Sequence, residues 1–527
     1  MENNIYDVIV LGAGFSGLSA ALSSVKSGAK TAIIAENNGA SKEILAFNAP
    51  LYSPDNEKIY YDDMYEGGRE IGNEKLVELI SKHSSQLIDK LDKLGIKFTK
   101  NDGRYAQRLV SGGTYPRAVY YKDFIGKMII NKFEKECKKQ GVDFYINSRI
   151  IDVNNYGESY EIIFSDIDNR LNFSVLNSTA LLIATGGIGN LYSFTTYPLD
   201  IWGDGYSFGY QLGAELIDME FVQFEPTITI NPPNIKGIVM PTALFGDGGI
   251  LRNNKGKKFL KTSYSKKDEN YYHKDEIALA ISKEIKEGRG TKNGGVIFDI
   301  TKVNQKLING YPTLLNKLKK GGFNLLKNGK IEVAPAAHSQ MGGIKVDENG
   351  KTSLDGLFAA GEVTGGIHGA NRLAGNSGTE TLIMGEIAGR SASQYSNNKI
   401  VKIPKNNINY KSKVKNIFEF ENENKLLINN IQNIMTNYVN LIRSEEKLKK
   451  GLNKIMNLKE NQINISNLKG KILNLINLSE MIINSALLRE ESRGYHYRSD
   501  YPEIDNKNWK KNILIKKENN KMKFKIN

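Results

Sequence analysis

Short runs of almost entirely apolar residues recur along the first 400 residues of the chain. Runs of this kind are typical of strands that are buried on both faces of a parallel sheet. They lie at residues 6–11, 31–35, 180–184 and 356–360. Segments with helical character lie between them, at residues 18–26, 73–94 and 122–140. This alternation of strands and helices predicts an α/β fold around a parallel sheet.

The alternation changes character twice further along the chain. Between residues 223 and 331 Lys, Tyr and turn residues become frequent and the strand–helix rhythm is lost, which indicates an inserted domain. Beyond the linker that starts at Pro404, apolar residues recur at helical spacing, which predicts a helical bundle. We therefore expect one domain formed by segments 1–222 and 332–400, an inserted domain at 223–331, and a helical domain at 405–527. The basic tail, 508–527, is expected either to contact a partner or to fray.

Composition places the chain among ordinary soluble globular proteins, since 40% of its 527 residues are hydrophobic and 25% are charged. The formal net charge of +14 comes from lysines scattered among asparagines, so we interpret it as solvated surface and expect no nucleic-acid partner. The single cysteine, Cys137, argues against a disulfide scaffold, a cysteine-ligated iron–sulfur cluster and a cysteine-rich zinc site, and we predict no metal site. We find neither a run of 18 apolar residues nor a secretory signal, and therefore expect no transmembrane segment and a cytoplasmic location.

A glycine-rich turn, Gly12-Ala13-Gly14-Phe15-Ser16-Gly17, joins the first predicted strand to the first helix. Gly12 permits the tight turn, Gly14 lets a pyrophosphate approach the backbone, and Gly17 lets helix and strand pack closely. The helix N-terminus offers N–H donors to phosphates. Glu36, at the end of the second strand, is placed to bind ribose hydroxyls and disfavours a 2′-phosphate. These residues, including Phe15 and Ser16, predict a dinucleotide site, with NADP the poorest candidate.

A second glycine-rich turn follows the predicted strand at 180–184. It comprises Ala184, Thr185, Gly186 and Gly187, a sequence that is typical of an exit turn beside a flavin nucleotide. Asp204, at the start of the next helical segment, is a further candidate for cofactor binding.

Three longer stretches, at residues 337–344, 357–377 and 489–502, resemble the flavoprotein subunits of succinate dehydrogenase and fumarate reductase, and L-aspartate oxidase. The most specific part is the string HGANRLAGNS at 368–377, and the resemblance extends over essentially the whole chain. It implies an FAD-binding, Rossmann-like domain of the glutathione-reductase type, an inserted domain that caps the flavin, and a C-terminal helical domain. It also implies that the cofactor is FAD.

Several residues of these stretches receive expected roles at the flavin. Gly361 and Glu362 follow a strand, so Glu362 is expected to accept hydrogen bonds from ribityl hydroxyls. Asn376 and Ser377 are expected to begin a helix, with Ser377 as its N-cap. The N-terminus of that helix would stabilise negative charge on the reduced flavin.

Other residues of the same stretches are expected near the substrate. The resemblance implies that Arg372 and His338 hold a substrate carboxylate, with Arg372 as a bidentate clamp. His368 is either structural or close to the flavin. We expect a polar network between the helical and flavin domains from Arg489, Arg493, His496 and Arg498.

The sequence departs from the family pattern at the positions that carry the chemistry. Glu225 stands where family members acting on fumarate or succinate have a histidine, and Lys274 stands where they have a proton-donating arginine. The segment 241–245 lacks the Glu and Arg of the family's proton relay. Glu225 would repel a dicarboxylate, and could attract an amine or donate a proton, while Lys274 could act as an acid if burial lowers its pKa. No histidine occurs in 39–50, where respiratory members attach FAD covalently, so non-covalent FAD is expected.

The resulting hypothesis is an FAD-dependent oxidoreductase of the succinate dehydrogenase and fumarate reductase type. It would transfer hydride between flavin N5 and a small carboxylic acid, interconverting C–C and C=C bonds. Two alternatives stay open: an amino-acid oxidase like L-aspartate oxidase, and an electron-relay flavoprotein subunit without substrate chemistry of its own. Because the chain lacks cysteines for clusters, electrons would come from an iron–sulfur protein or another electron-transfer partner.

Overall fold

The computed structural model describes residues 5–122, 125–260, 272–401, 410–461 and 470–527. The strands are β1 Ile5–Leu11, β2 Thr31–Ala35, β3 Ala46–Asn48, β4 Lys100–Asn101, β5 Arg104–Tyr105, β6 Gln107–Arg108, β7 Ala118–Tyr120, β8 Asp143–Ile146, β9 Ser148–Asn155, β10 Tyr160–Asp166, β11 Phe173–Ile183, β12 Leu216–Ile217, β13 Val222–Asn231, β14 Ile250–Arg252, β15 Val296–Asp299, β16 Lys330–Gln340, β17 Gly343–Lys345, β18 Leu357–Ala359, β19 Thr364–Gly365, β20 Ile442–Arg443, β21 Tyr497–Arg498, β22 Ile513–Glu518 and β23 Lys521–Ile526. The helices are α1 Phe15–Lys26, α2 Glu57–Gly67, α3 Glu74–Lys93, α4 Ile125–Lys139, α5 Asp204–Leu212, α6 Ala243–Gly246, α7 Lys274–Lys286, α8 Gln305–Asn309, α9 Pro312–Lys320, α10 Leu325–Asn328, α11 Asn376–Ser396, α12 Tyr410–Glu423, α13 Lys425–Tyr438, α14 Glu445–Asn461, α15 Lys471–Leu488 and α16 Asn506–Trp509.

The largest sheet has the strand order β8-β2-β1-β11-β10-β9, with β18 also paired to β11. Strands β8, β2, β1, β11 and β18 are parallel, whereas β10 and β9 are antiparallel to their neighbours. The sheet confirms the predicted α/β fold. Since the carboxyl ends of the parallel strands meet at one edge, the turns after β1 and β11 lie side by side there.

Strand β11 is longer than its apolar run, 180–184, because its first half pairs with β10. The predicted helix 122–140 is observed as Ile125–Lys139, and residues 123 and 124 lie outside the described ranges.

Helices α1 and α11 cross at unusually close range beside the sheet. A Cβ at Gly389 would lie 2.1 Å from the carbonyl oxygen of Ala20, and one at Gly385 would lie 2.5 Å from that of Ser16. Both distances are shorter than any side chain tolerates, so the helices approach through their backbones. The crossing fixes the first turn of α1, which directly follows Gly12 and Gly14 of the glycine-rich turn.

The segment after β12 forms a second, antiparallel sheet in the order β13-β16-β15-β14. Leu251, Phe298 and Ile331 lie opposite one another on successive strands and are buried. Helix α7 packs Ile277 and Ile281 into the same hydrophobic cluster. This segment therefore has an apolar core of its own beside that of the large sheet.

Helices α12–α15 follow and end at Leu488, and the short helix α16 precedes the hairpin of β22 and β23. Asn519 and Asn520 form its turn with φ values of 49° and 58°, the left-handed region that two-residue hairpin turns require. Strand β22 pairs with β12, so the tail is joined to segment 1–222. Helices α12–α15 agree with the expected C-terminal helical domain, to which the hairpin is an addition, whereas the alternative that the basic tail frays is wrong.

Two features are absent from the residues that the structure describes. Within those ranges, no helix is long and apolar enough to cross a membrane. The same residues contain no group of three or more His, Cys, Asp or Glu side chains that could hold a metal ion. Cys137 is buried, and burial raises the pKa of its thiol to about 12.

We predict that Gly389→Ala destabilises the protein by about 1–3 kcal/mol, because the overpacking cost at the helix crossing exceeds the roughly 1 kcal/mol that Ala gains in helix propensity. Chemical denaturation measures the effect. Arg390→Ala, at an exposed position of the same helix, is the control and should change stability by less than about 0.5 kcal/mol. Equal stability of the two variants would contradict the close crossing.

Candidate active site

Two glycine-rich turns face each other at the carboxyl edge of the large sheet. Gly12 has a φ of 114°, and a Cβ there would lie 2.3 Å from the carbonyl oxygen of Ala184. A Cβ at Gly17 would lie 1.9 Å from the carbonyl oxygen of Gly12. Only glycine is tolerated at both positions, so the two turns can pack directly against each other.

A cleft opens along these turns, with about 1060 Å³ of space free of protein atoms, part of it open to solvent. Eleven of the residues expected to bind the cofactor line it: Gly12, Gly14, Phe15, Ser16, Glu36, Ala184, Thr185, Gly186, Asp204, Glu362 and Ser377. The other three residues expected to bind the cofactor, Gly17, Gly361 and Asn376, are not among those that line the cleft. Sequence reasoning missed Ser41, Ser148 and Trp202, which line the cleft from separate segments.

The polar groups of this cleft fit a dinucleotide. The N-cap of α1 is Gly14, which has no side chain to occupy the helix's free N–H groups, although Phe15 N donates to Ser41 Oγ at 3.0 Å. Glu36 stands at the opposite wall, where burial raises its pKa. The buried hydroxyl of Thr185 has no hydrogen-bond partner among the described residues, so it is free to contact a ligand.

Glu362 lies at the other end of the cleft, held from three sides. Its Oε1 accepts a hydrogen bond from Gln340 N at 2.9 Å and another from the hydroxyl of Tyr197. Its carbonyl oxygen accepts from the hydroxyl of Tyr206 at 2.8 Å. Burial raises the pKa of the Glu362 carboxyl despite these donors. One carboxylate oxygen is therefore already used by the protein, and its ribityl contact stays a prediction.

Helix α11 begins at Asn376, with Gly375 as its N-cap, so the expectation that Ser377 caps it is wrong. Ser377 instead lies in the first turn and faces the cleft. Gly375 has a φ of 85°, which a serine adopts poorly. Asn376 is buried and accepts hydrogen bonds from Asn48 Nδ2 at 2.6 Å and Tyr60 Oη at 2.9 Å.

The four residues expected to carry the chemistry come together where β13, β16 and α7 meet. Lys274 Nζ donates to Glu225 Oε2 at 2.5 Å, and His338 Nε2 lies 3.5 Å from the same oxygen. The other ring nitrogen of His338, Nδ1, is hydrogen-bonded to Thr196 Oγ1 at 2.8 Å. Glu225, Lys274 and Arg372 are each less than a tenth exposed, so they interact with little screening by water.

Arg372 is held by neutral neighbours, with no carboxylate paired to it among the described residues. Its Nη2 donates to Gln223 Oε1 at 2.8 Å and its Nη1 to the carbonyl of Leu373 at 3.2 Å. Its buried Nε has no partner in the same part of the chain. Such an arginine can receive an anionic ligand without first breaking an ion pair.

The ionisation of this cluster follows from its burial. Burial lowers the pKa of Lys274, and this effect is larger than the opposite effect of the nearby Glu225 carboxylate. Burial alone would raise the pKa of Glu225, but Lys274 and Arg372 hold it below its ordinary value. The pKa of His338 falls to about 3, chiefly through burial, so its imidazole is neutral at physiological pH. Burial likewise lowers the pKa of His368 to about 3.

The start of α7 is anchored to segment 1–222 by an interaction that the sequence does not reveal. Arg69 donates to Asp275 Oδ2 from Nε at 3.1 Å and from Nη2 at 2.6 Å. Asp275 follows Lys274 directly, so this pair fixes the lysine at the start of the helix. Arg69 and Asp275 are 206 residues apart, so no local sequence pattern predicts that they are in contact.

Two residues of the C-terminal arginine motif, Arg489 and Arg493, bond to segment 1–222 as expected, whereas His496 and Arg498 bond within the C-terminal region. Arg489 Nε donates to Glu220 Oε1 at 2.6 Å, and Arg493 Nη1 donates to the carbonyl of Arg69 at 2.8 Å. His496 Nδ1 is hydrogen-bonded to Arg443 Nη1 at 2.9 Å. The same motif also pairs Arg498 with Asp500.

The chain matches two known protein families along its length. Residues 7–377 match the family described as FAD binding domain, and residues 428–527 match fumarate reductase flavoprotein C-term. The chain is 36% identical to an uncharacterized FAD-dependent oxidoreductase of Methanocaldococcus jannaschii, over 97% of this chain and 96% of the relative. It is 31% identical to one of the subunits of fumarate reductase (CoM/CoB) from Methanothermobacter marburgensis, over 98% of both. It is 29% identical to L-aspartate oxidase of Saccharolobus solfataricus, over 95% of this chain and 97% of the relative.

Two solved structures of flavoprotein subunits have the same fold as this chain. A mutant FrdA of Escherichia coli quinol fumarate reductase superposes with a TM-score of 0.87 at 23% identity, covering 99% of this chain and 96% of that one. Sdh1 of Mycobacterium smegmatis in complex with UQ1 superposes with a TM-score of 0.81 at 27% identity, covering 99% and 94%. Together with the matched families, these similarities establish that the chain is an FAD-dependent oxidoreductase of the succinate dehydrogenase and fumarate reductase flavoprotein family, with FAD as its cofactor.

Proposed function

We propose that this protein interconverts C–C and C=C bonds in a small acid that places one carboxylate in the site. The observation that carries this proposal is the buried group of Arg372, His338, Glu225 and Lys274, with an ion pair of 2.5 Å at its centre. When bound, FAD supplies the acceptor or donor of the hydride. The side chains bind the acid, exclude water and move the accompanying proton.

The charge of the group supports a single carboxylate. Lys274 and Arg372 contribute two positive charges, Glu225 contributes one negative charge, and the neutral His338 contributes none. The net charge of the site is therefore about one positive unit, which one carboxylate neutralises. A second carboxylate beside the buried Glu225 would be repelled, so plain fumarate or succinate fits less well.

Arg372 is the proposed carboxylate clamp. Gln223 already fixes one of its terminal nitrogens, which lowers the entropy that the arginine loses when an acid binds. His338 is the second binding group, oriented by Thr196 and neutral, so it contributes a hydrogen bond rather than a charge.

Lys274 is the proposed acid and base at the carbon next to the hydride position. Its lowered pKa makes the ammonium a stronger acid than an ordinary lysine. Glu225 balances its charge and keeps it within the pocket. In reduction, Lys274 gives the substrate a proton, and in oxidation it takes one.

An amino-acid oxidase is the second candidate, favoured by the acidic Glu225 and by the L-aspartate oxidase relative. Glu225 would then have to receive the substrate amine. Against this, its Oε2 is engaged by Lys274 and the side chain is only 2% exposed. An electron-relay subunit without substrate chemistry is the third candidate, and the assembled clamp and acid argue against it.

We also propose that FAD is bound non-covalently, because the cleft wall nearest 39–50 offers Ser41 and Ile44 rather than a histidine. An external electron-transfer partner, such as an iron–sulfur protein, would complete the redox cycle. We also propose that the protein is located in the cytoplasm, as the sequence led us to expect.

We expect Arg372→Ala to lower kcat/KM by about 100-fold or more, since a charge-assisted contact to a carboxylate contributes roughly 3 kcal/mol. The flavin content of the purified variant should match that of the unaltered protein, because Arg372 is assigned to the substrate. Flavin absorbance per protein and steady-state kinetics give the two readouts. Loss of the flavin instead would contradict the assignment.

The pH dependence of turnover tests Lys274. A proton-donating lysine with a lowered pKa loses its proton as pH rises, so the reductive rate should fall at a pH below the ordinary lysine value of 10.5. Lys274→Arg should move this fall to higher pH, because arginine stays protonated. Lys274→Met should lose about 100- to 10,000-fold in rate. An unchanged alkaline limb in Lys274→Arg would exclude Lys274 as the acid.

A substrate screen separates the first two candidate activities. We expect the chemically reduced flavin to be reoxidised anaerobically by an unsaturated monocarboxylic acid, followed by the return of flavin absorbance. Oxygen uptake with L-aspartate is the parallel assay, and a robust signal there would favour the oxidase. No response to any organic acid in either assay would favour the electron-relay candidate.

A further inference from the structure

The first turn of α15 lies against the end of the cleft that contains Glu36. The ammonium of Lys471 is 4.1 Å from the centroid of the Trp202 ring, and Trp202 lines the cleft. One turn later, Asn474 Nδ2 donates to Asp204 Oδ1 at 2.9 Å, and Asp204 also lines the cleft. The C-terminal region thus contacts the wall of the nucleotide site at two points.

A buried ion pair fixes the start of α15 in this position. Glu421 on α12 accepts a hydrogen bond from the backbone N–H of Lys471 at 2.7 Å. The same carboxylate pairs with both terminal nitrogens of Arg149, each at 2.6 Å. Arg149 belongs to β9, between Ser148 and Ile150, which line the cleft. The helix start is therefore tied to the sheet as well as to the cleft wall.

The charges around Glu36 act on its ionisation in opposite directions. Burial raises the pKa of Glu36, and Lys471 is the strongest of the charges that act against this rise. Arg149 also lowers the pKa, while Asp204 and Asp200 raise it. Burial lowers the pKa of Lys471 itself, with Arg149 adding to the effect and Asp204, Glu36 and Glu421 opposing it.

We propose that Lys471 is a positioning residue of the FAD site: held on the face of Trp202, its ammonium keeps Glu36 ionised, ready to accept hydrogen bonds from the ribose hydroxyls. Lys471 lies outside residues 7–377, which match the FAD binding domain. The C-terminal region therefore supplies part of the nucleotide end of the cleft, through the contacts of α15 with Trp202 and Asp204.

This arrangement links cofactor binding to the docking of the C-terminal helices. A contact that strengthens FAD binding when α15 is docked must, by linkage, stabilise the docked helix to the same extent when FAD binds. The coupling requires Glu36 to be charged, so it weakens as the pH falls through the pKa of Glu36.

Titration of the apoprotein with FAD, followed by flavin fluorescence, tests the proposal without using turnover. We expect Lys471→Met to raise the FAD dissociation constant about tenfold at low pH, where Glu36 becomes protonated, since a hydrogen bond to a charged group contributes roughly 1.5–3 kcal/mol. Removing the cation raises the pKa of Glu36 further, so the loss of affinity at low pH should begin at a higher pH than in the unaltered protein. Lys471→Arg should keep both properties close to the original.

Two controls separate this role from a general effect on folding. Lys450→Met removes an exposed lysine of α14 that pairs with Glu446 on the same helix, and it should leave FAD affinity unchanged. Glu36→Gln removes the titrating group, so adding Lys471→Met to it should have little further effect. Equal melting temperatures of the apoprotein variants would show that the fold is retained.

The proposal is overturned if Lys471→Met binds FAD with the original affinity and the original pH profile. It is also overturned if Lys471→Met weakens binding equally in the presence and absence of Glu36→Gln, since Lys471 would then act on the fold rather than through Glu36.

Discussion

The backbone contact between the two glycine-rich turns is the constraint on which the rest of the structure depends. Gly12 donates its N–H to the carbonyl of Ile34 at 2.8 Å, while Ala184 donates to the carbonyl of Leu11 at 2.9 Å. These bonds hold three parallel strands in register at the edge where the cleft opens. A side chain at Gly12 or Gly17 would push strand and helix apart. The cofactor site, the α1–α11 crossing and the position of Glu36 all follow from this one close approach.

The substrate end is governed by electrostatics rather than by backbone packing. Glu225 and Lys274, the two positions at which the sequence is expected to depart from the family pattern, pair with each other. A buried Glu225 with no cation beside it would be an uncompensated charge, which costs several kcal/mol. Lys274 supplies that cation, and it carries the same charge as the arginine expected at this position. The two departures therefore meet in one ion pair.

Much of the nucleotide site could be predicted from the sequence because its signals are local. A strand, three glycines and an acid lie within about 30 residues, and each has a direct steric or electrostatic meaning. Arg69, Arg149 and Lys471 could not be found this way, since each meets its partners across hundreds of residues. Residue type alone favours Ser377 as a cap, whereas the positive φ of the preceding turn selects Gly375. The final hairpin is hard to predict because its alternating lysines suggest a solvated tail.

The strand order of the large sheet also governs how the protein is made. Strand β1 has β11 as a neighbour, and β11 in turn borders β18, so the cleft cannot exist until residues 5–359 have been synthesised. Helix α11, which packs against α1, emerges later still, and α15 emerges after α11. Until then the faces of α1 and β1 that pack against α11 and β11 are uncovered, a condition that favours aggregation. Capture of the cofactor is thus a late event in biosynthesis, and a truncated chain would leave the ribosome without a finished site.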